Sequence, residues 1–371
     1  MSDVGAAWTH TGFAQQIRFG RGVAGEAGRA VKDLGGRRVL LVTTPGRRRS
    51  TAGDRVVRAL GAALAEVYDG VRSHVPTSSV QEAMALARRE GVDAVVSFGG
   101  GSCADLGKAV CFFTEHESGT PGASFFDRPA LPHVSIPTTY SGAELTPFFG
   151  MTDEAAKRKS GAGGPTIAPA VALYDPDVTL DVPARVSAET GMNALAHCVE
   201  AVWSPSRTPE AEAIALAGLS RIAAALPAVV ERPDDVACRS DMLAGAVLGG
   251  RCLQNAAMGV HHGLSQLVGG RTGIPHGLAN AILLAHSVRF NAVAVPEAVE
   301  RIGAALGSHD AAAAIDLLRD RIGLPARLSD VGVDDDDLEA VIRLAESSAT
   351  VRANVREVGG AGAREILESA F

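Results

Sequence analysis

Lysine is almost missing from this chain: of 35 Lys and Arg among 371 residues, only Lys32, Lys108, Lys157 and Lys159 are lysines. The arginine excess, with so much alanine and glycine, reflects a GC-rich genome more than a function. There is also no basic run, and 42 Asp and Glu outweigh the bases to leave a net charge of −7. That balance argues against a nucleic-acid binder. No stretch approaches ~18 continuous apolar residues, so no membrane span is expected. The N-terminus, MSDVGAAWTHTGF, lacks the charged and apolar regions of a signal peptide. The five cysteines, Cys103, Cys111, Cys198, Cys238 and Cys252, are odd in number and form no C-x-x-C. A reduced cytoplasm therefore fits better than a disulfide framework or a structural zinc site.

What is present is apolar material enough for a large core, 46% of the residues, in a length that suits two domains or one large one. The first ~150 residues alternate short apolar runs with helical patterns. RRVLLVTTP (37–45), ALAEVYDGV (63–71), DAVVSF (93–98), HVSIPTT (133–139) and AVALYDP (170–176) read as strands. Helices are expected over 50–66, in SSVQEAMALARREG behind a Ser cap, and over 103–114. FFGMTDEAAKRKSG reads as a hairpin or loop. Strand–helix alternation at this spacing predicts a parallel sheet covered on both faces. From 184 onward the patterns are long, Ala/Leu-rich and amphipathic, and predict an all-helical second domain. The division is set at 1–160 and 161–371, with close packing and a cleft between the two domains as the expectation. DDDD at 334–337 reads as the solvated start of a helix.

Two segments carry chemistry. Gly99-Gly100-Gly101-Ser102 joins a buried strand to a helix. Glycines let a backbone approach a ligand closely, and a helix N-terminus offers free N–H groups, which together suit a pyrophosphate. Ser102 and Asp105 have the spacing of a capping box. The alternative is a tight turn that needs glycine for steric reasons alone. On the helix behind the loop, Lys108 is either a solvated lysine or one placed with purpose in a chain so poor in lysine. The second segment pair is TGMNALAHCVE and GVHHGLSQLVGGRTGIPHG. Asn193 and His197 stand at i, i+4 on one helix, and His262 and His276 follow separately, a plausible metal geometry. For each histidine alone, a satisfied core or surface position is the competing explanation.

Together, GGGSCADLGKAV (99–110), PTTYSGAELT (137–146), KSG (159–161), LYDPDVT (173–179), TGMNALAHCVEA (190–201), GVHHGLSQLVGG (259–270) and IPHGLANAILLAHSVRFN (274–291) resemble the iron-containing alcohol dehydrogenase superfamily over nearly the whole chain. HVP (74–76), PTTYSGAELTPFFGMT, GMNALAHCVEA and GVHH are most similar to its maleylacetate reductase branch, which reduces the C=C bond of maleylacetate to 3-oxoadipate with NADH or NADPH in the breakdown of aromatic compounds. The resemblance implies a Rossmann-like α/β N-terminal domain and an all-α C-terminal domain, the dehydroquinate synthase-like fold of iron-type alcohol dehydrogenases. It implies a cofactor in the cleft and, commonly, a homodimer. It places Gly99, Gly100, Gly101 and Ser102 on the pyrophosphate, Thr138, Thr139 and Thr146 along the cofactor path, and Lys159 at its ribose.

Where metal-using relatives have Asp, this chain has Asn193, beside the remaining ligand positions His197, His262 and His276. A neutral amide removes the only anionic ligand and weakens divalent-ion binding. The reductase branch shares that Asn and is described as metal-independent, so a metal-free site is expected in preference to a three-histidine zinc or iron site. Gln266 stands where both branches usually have His, and Gly263 where the reductase branch has Lys. HGLANAILL is closer to the alcohol dehydrogenase pattern. Thr44 ends the first expected strand in place of a ribose-binding Asp, with Arg47, Arg48 and Arg49 following. Such a site would tolerate a 2′-phosphate, and the competing explanation is a run of solvated arginines.

The resulting expectation is hydride transfer to an electron-poor alkene conjugated with a ketone, in an anionic small molecule. His197, His262 and His276 would stabilise the enolate, Tyr140 or His261 would donate the proton, and Arg251 and Arg271 would meet the substrate carboxylates. Two other readings stand beside it: a metal-dependent alcohol dehydrogenase or aldehyde reductase, and a cofactor-binding protein without catalysis, favoured by Gln266.

Overall fold

The structure is a computed structural model and describes residues 8, 12, 14–154 and 158–371, without the side chains of 158 and 159. It divides into two compact units, one formed by Thr11–Val182 and the other containing Pro183–Phe371. The boundary therefore lies beyond the expected 160. The strand Arg158–Gly163 runs through that position and pairs with Phe148–Asp153, and Val171–Tyr174 beyond it pairs with Gln16–Phe19 and His133–Pro137, so both belong to the first unit.

The first unit contains strands β1 (Gln16–Phe19), β2 (Val39–Thr43), β3 (Leu64–Tyr68), β4 (Ala94–Gly99), β5 (His133–Pro137), β6 (Phe148–Asp153), β7 (Arg158–Gly163) and β8 (Val171–Tyr174). Between them run helices α1 (Ala27–Asp33), α2 (Pro45–Arg48), α3 (Thr51–Leu60), α4 (Thr77–Arg89) and α5 (Gly101–Glu117). Six strands form a parallel sheet in the order β1-β8-β5-β4-β2-β3, and β6 and β7 form a separate antiparallel hairpin. Strand β2 shows why both faces are covered. Leu40 and Val42 pack with Val80, Ala83 and Met84 of α4 and Leu106 and Val110 of α5. Val39 and Leu41 pack with Ala30 and Val31 of α1 and Val56 and Leu60 of α3. Five consecutive fully buried apolar or β-branched residues suit a strand sandwiched between helices.

Three local expectations need correcting. The helix begun at 51 stops at Leu60, where Gly61 adopts a φ of 51°, and β3 starts at Leu64. Helix α4 is preceded by Pro76, with no side-chain cap. Strand β1 was not expected, since its polar–apolar alternation is only four residues long.

The second unit is helical throughout its described length: α6 (Ala184–Trp203), α7 (Pro209–Glu231), α8 (Val236–Asn255), α9 (Val260–Thr272), α10 (His276–Ala292), α11 (Pro296–Ala305), α12 (Ala311–Arg321), α13 (Asp335–Ser347), α14 (Ala349–Arg352) and α15 (Gly359–Ser369). Asp334 caps α13 by accepting from the Asp337 N–H at 2.8 Å, so the acidic run does start a helix. Among the described residues α7 alone is long and apolar enough to cross a membrane by length and composition. No such stretch was expected, yet α7 packs against α6 and α8 and buries Ala211, Ala215, Leu219, Ile222 and Leu226. Its apolarity belongs to the bundle core. Helix α6 is the central element, with buried residues on every side from Gly191 to Trp203. A helix apolar all round is what such a position requires.

Candidate functional site

In the first unit the end of β4 turns into α5 through Gly99, Gly100 and Gly101. Gly99 has a φ of 151°, and a Cβ there would lie 2.4 Å from Cys103 Sγ. A Cβ on Gly101 would lie 2.9 Å from Ser141 Oγ. The N-cap residue Gly100 makes no side-chain cap hydrogen bond. The expected capping box is not formed, because Ser102 lies inside the helix. Asp105 instead pairs with Lys108 Nζ at 2.9 Å and accepts from the Gly150 N–H at 3.4 Å. The helix start is thus left to backbone donors, as anion binding requires. The facing segment is held by the Thr138 N–H, which donates to Gly99 O at 2.9 Å. Thr139 Oγ1 is buried without a hydrogen-bond partner. A bare helix start, a bare hydroxyl and glycines that close approach demands fit the phosphates of a dinucleotide.

Lys108 is wholly buried, and it is neither solvated nor a ligand contact. Its Nζ donates to Ala143 O at 2.7 Å, to Thr146 Oγ1 at 3.0 Å and to Phe148 O. Thr146 Oγ1 in turn faces Ala143 O at 3.0 Å and Phe148 O at 3.2 Å. The hydroxyl of Thr146 is spent inside this network, so its part in a cofactor site is to hold the 143–148 segment. Cys103 is no nucleophile, since burial pushes its thiol up to about 12. Thr44 caps α2 by accepting from the Arg47 N–H at 3.3 Å. Arg47 donates to Asp181 O at 3.0 Å, Arg48 pairs with Asp54 at 3.4 Å, and Arg49 is exposed. Tyr140 is buried within this unit, at 1% exposure. Lys159 pairs through its backbone with Thr152 in the hairpin, while its side chain lies outside the described part.

In the second unit α6, α9 and α10 bring together Asn193, His197, His262 and His276. The His197 and His262 rings stack at 4.7 Å with 24° between their planes. His276 lies 6.0 Å from His262 by ring centroids. Burial, then His262, His276 and His261, holds His197 well below the usual histidine range, so it contributes a neutral ring. Asn193 Oδ1 accepts from Asn280 Nδ2 at 2.9 Å, and the same Nδ2 donates to His276 O at 2.8 Å. Behind His262 stands Glu200, fully buried, with Oε2 2.6 Å from His262 Nδ1. His262 Nε2 and His197 Nδ1 are buried without hydrogen-bond partners. Buried ring nitrogens of that kind call for a ligand or solvent to meet them.

His261 does not fit the role of proton donor. It is fully buried, edge-on to His262 at 5.2 Å, with Nδ1 3.5 Å from Ser287 Oγ. Burial, then the neighbouring His262, pushes it down to about 3, so it stays neutral and packs behind the site. Arg251 and Arg271 are also corrected. Arg251 bonds to Gln254 and lies 3.8 Å from Glu210, and Arg271 pairs with Asp337 at 2.7 Å. Both are committed to neighbours on their own unit. Glu200 and Asn280 were not anticipated. The signal for each was spacing: Glu200 follows His197 by three residues and is the one acidic residue between 190 and 203, and Asn280 follows His276 by four.

Family profiles match both parts of the chain, iron-containing alcohol dehydrogenase over 14–176 and the C-terminal part of the Fe-containing alcohol dehydrogenase family over 187–371. A maleylacetate reductase of Burkholderia cepacia is 33% identical over 96% of this chain and 95% of its own length. The chain belongs to the iron-containing alcohol dehydrogenase family. It is accordingly an oxidoreductase, similar throughout to maleylacetate reductases. The crystal structure of maleylacetate reductase from Rhizobium sp. strain MTP-10005 superposes with a TM-score of 0.86 at 33% identity, covering 98% of both chains. The sulfoacetaldehyde reductase of Bifidobacterium kashiwanohense, solved in complex with NAD+, gives a TM-score of 0.89 at 25% identity, over 99% of both chains.

The family name implies iron, and the residues here offer it three imidazoles and an uncharged amide. Ring-nitrogen lone pairs lie in the ring plane, so two nearly parallel stacked rings do not aim at one ion. Asn193 supplies no charge, and the Glu200 carboxylate is used behind His262. Among the described residues no three His, Cys, Asp or Glu are grouped to hold a metal. Two departures from the reductase branch also find their setting. A Cβ on Gly263 would lie 2.5 Å from Val351 Cγ2 and 2.9 Å from Val351 N, so α14 occupies the space a lysine would need. Gln266 is exposed on α9.

Proposed function

We propose that this protein reduces the C=C bond of maleylacetate, or of a closely related unsaturated oxo-dicarboxylate, to the saturated acid, 3-oxoadipate, in the catabolism of aromatic compounds. The observation that carries this reading is the similarity to maleylacetate reductases from end to end. The geometry supports it with a site of three imidazoles and an amide that suits hydrogen bonding to an enolate better than Lewis-acid catalysis. When bound, NADH or NADPH supplies the hydride. Gly99, Gly100, Gly101 and Ser102 hold its pyrophosphate, and Thr139 offers the unpartnered hydroxyl. With Thr44 in place of a carboxylate, a 2′-phosphate meets no like charge from that residue. In the helical unit, His197 and His276 position the ketone and carboxylate end of the substrate. His262 Nε2 holds the proton that completes the reduction at the carbon beside the ketone.

The test is oxidation of NADH and NADPH with freshly generated maleylacetate, beside a panel of aldehydes, before and after chelation. One 3-oxoadipate formed per cofactor oxidised, insensitive to chelator, is the expected result. Aldehyde reduction that chelation abolishes would establish the metal-dependent alternative. Cofactor binding with no turnover on any enone or aldehyde would leave a binding protein.

A further inference from the structure

The carboxylate of Glu200 has a closed set of partners. Oε1 accepts from the N–H groups of Gly259 at 3.1 Å and His261 at 3.0 Å. Oε2 accepts from the His262 N–H at 3.2 Å and meets His262 Nδ1 at 2.6 Å. These donors come from the first turn of α9, whose N-cap residue Gly259 has no side chain to cap it. Glu200 thus caps α9 from α6, a favourable place for an anion.

A carboxylate whose oxygens already accept from three backbone N–H groups faces the ring as an acceptor, so the nitrogen opposite it carries hydrogen. Nδ1 of His262 is that nitrogen whether the ring is neutral or charged. The ring atom left to meet a ligand is then Nε2, which is buried without a partner. His197 has no such support, since its Nδ1 is itself unpartnered. The clamp is also rigid, because Glu200 cannot turn away from His262 without uncapping α9.

We propose that Glu200 is a positioning residue: it fixes His262 as the Nδ1–H tautomer and so presents Nε2 as the atom that meets the substrate. The catalytic consequence rests on the function proposed above, but the tautomer does not, and the two are tested separately. Nitrogen-15 spectra of histidine-labelled protein, with His262 assigned by comparison with His262→Gln, report which ring nitrogen bears hydrogen. The expected result is a protonated Nδ1 at neutral pH. A bare Nδ1 overturns the proposal whatever the enzyme reduces.

In the folded Glu200→Gln protein, kcat with maleylacetate should fall about a hundredfold, the scale of lost outer-shell support, while KM for NADH changes less than threefold. Glu200→Asp keeps the charge and should regain at least tenfold of that loss, which a purely structural role would not reproduce. An unchanged kcat in Glu200→Gln, or equal losses in the Gln and Asp variants, overturns the proposal. Should Glu200→Gln not fold, the wild-type spectrum and the Asp variant decide.

Discussion

In each unit of the chain a fully buried charge holds a functional segment, Lys108 in the α/β unit and Glu200 in the helical unit. Lys108 ties α5 to the 143–148 segment, and all its donors are directed at protein acceptors. Glu200 ties α6 to α9 and also leaves the far side of its partner ring, His262 Nε2, unmet. The groups offered to a ligand differ accordingly. The α/β unit offers backbone donors at a bare helix start and a threonine hydroxyl, none of which titrates. The helical unit offers imidazoles and an amide held by other side chains. Binding a constant anionic cofactor needs shape and a fixed dipole, whereas assisting a reaction needs groups that can exchange hydrogen.

That contrast can be broken by substitution. His262→Ala should lower kcat about a thousandfold, within the range for loss of a proton-transfer group, with cofactor affinity unchanged in equilibrium titration. A parallel loss of cofactor affinity would mean that the two roles are not separated between the units. Lys108→Met should cost about 3 kcal/mol in urea unfolding, because Asp105, Thr146 and two carbonyls lose their partner in a buried setting. A stable Lys108→Met protein with normal cofactor affinity would remove Lys108 from the comparison.

A third, smaller effect concerns pH. Burial, then Lys108, pushes His133 down to about 3. Its folded pKa therefore lies below the unfolded value, the unfolded chain binds the extra proton first, and stability is lost as pH falls below about 6.5. His133 accounts for about 2 kcal/mol of the loss between pH 7 and pH 5. His133→Gln should be less acid-sensitive by that amount in urea titrations at the two pH values. An identical pH dependence would show that the ring is not held neutral. The smallest effect is expected for Gly101→Ala, whose Cβ would press on Ser141 Oγ at 2.9 Å. KM for the cofactor should rise about tenfold, equivalent to about 1.4 kcal/mol, with kcat within twofold of wild type.

Much of this was legible beforehand where the pattern is local. The strands at 37–45, 93–98, 133–139 and 170–176 and the helical second half follow from periodicity: β2, β5 and β8 lie within these bounds, β4 overruns by one residue, and the hairpin-or-loop segment ending at Gly161 became β6 and a β7 that runs on to Gly163. Strand β1 was not legible, because its polar–apolar alternation runs for only four residues, too few to mark a strand, and pairing with β8 fixes it. The capping box at Ser102 shows the opposite error. Its spacing was right, but Asp105 has a stronger partner in Lys108, a pairing that depends on where the 143–148 segment lies. His261 and His262 are neighbours in sequence and identical in type. Only the arrangement of α6 and α10 around α9 makes one a buried neutral ring and gives the other a carboxylate behind it.

By itself, then, the order of residues determined the alternating α/β half, the helical half, the glycine loop between β4 and α5, and the residue types available for chemistry. These depend on neighbours within a few positions, and one dimension records them. The tertiary structure alone decided which charges are buried, that Lys108 holds a segment and binds nothing, that Val351 fills the space beside Gly263, and that Glu200 backs His262. Those outcomes rest on contacts between residues 35 to 88 positions apart. Burial and pairing at such separations set the protonation and orientation of a side chain, and spacing along the chain does not record them.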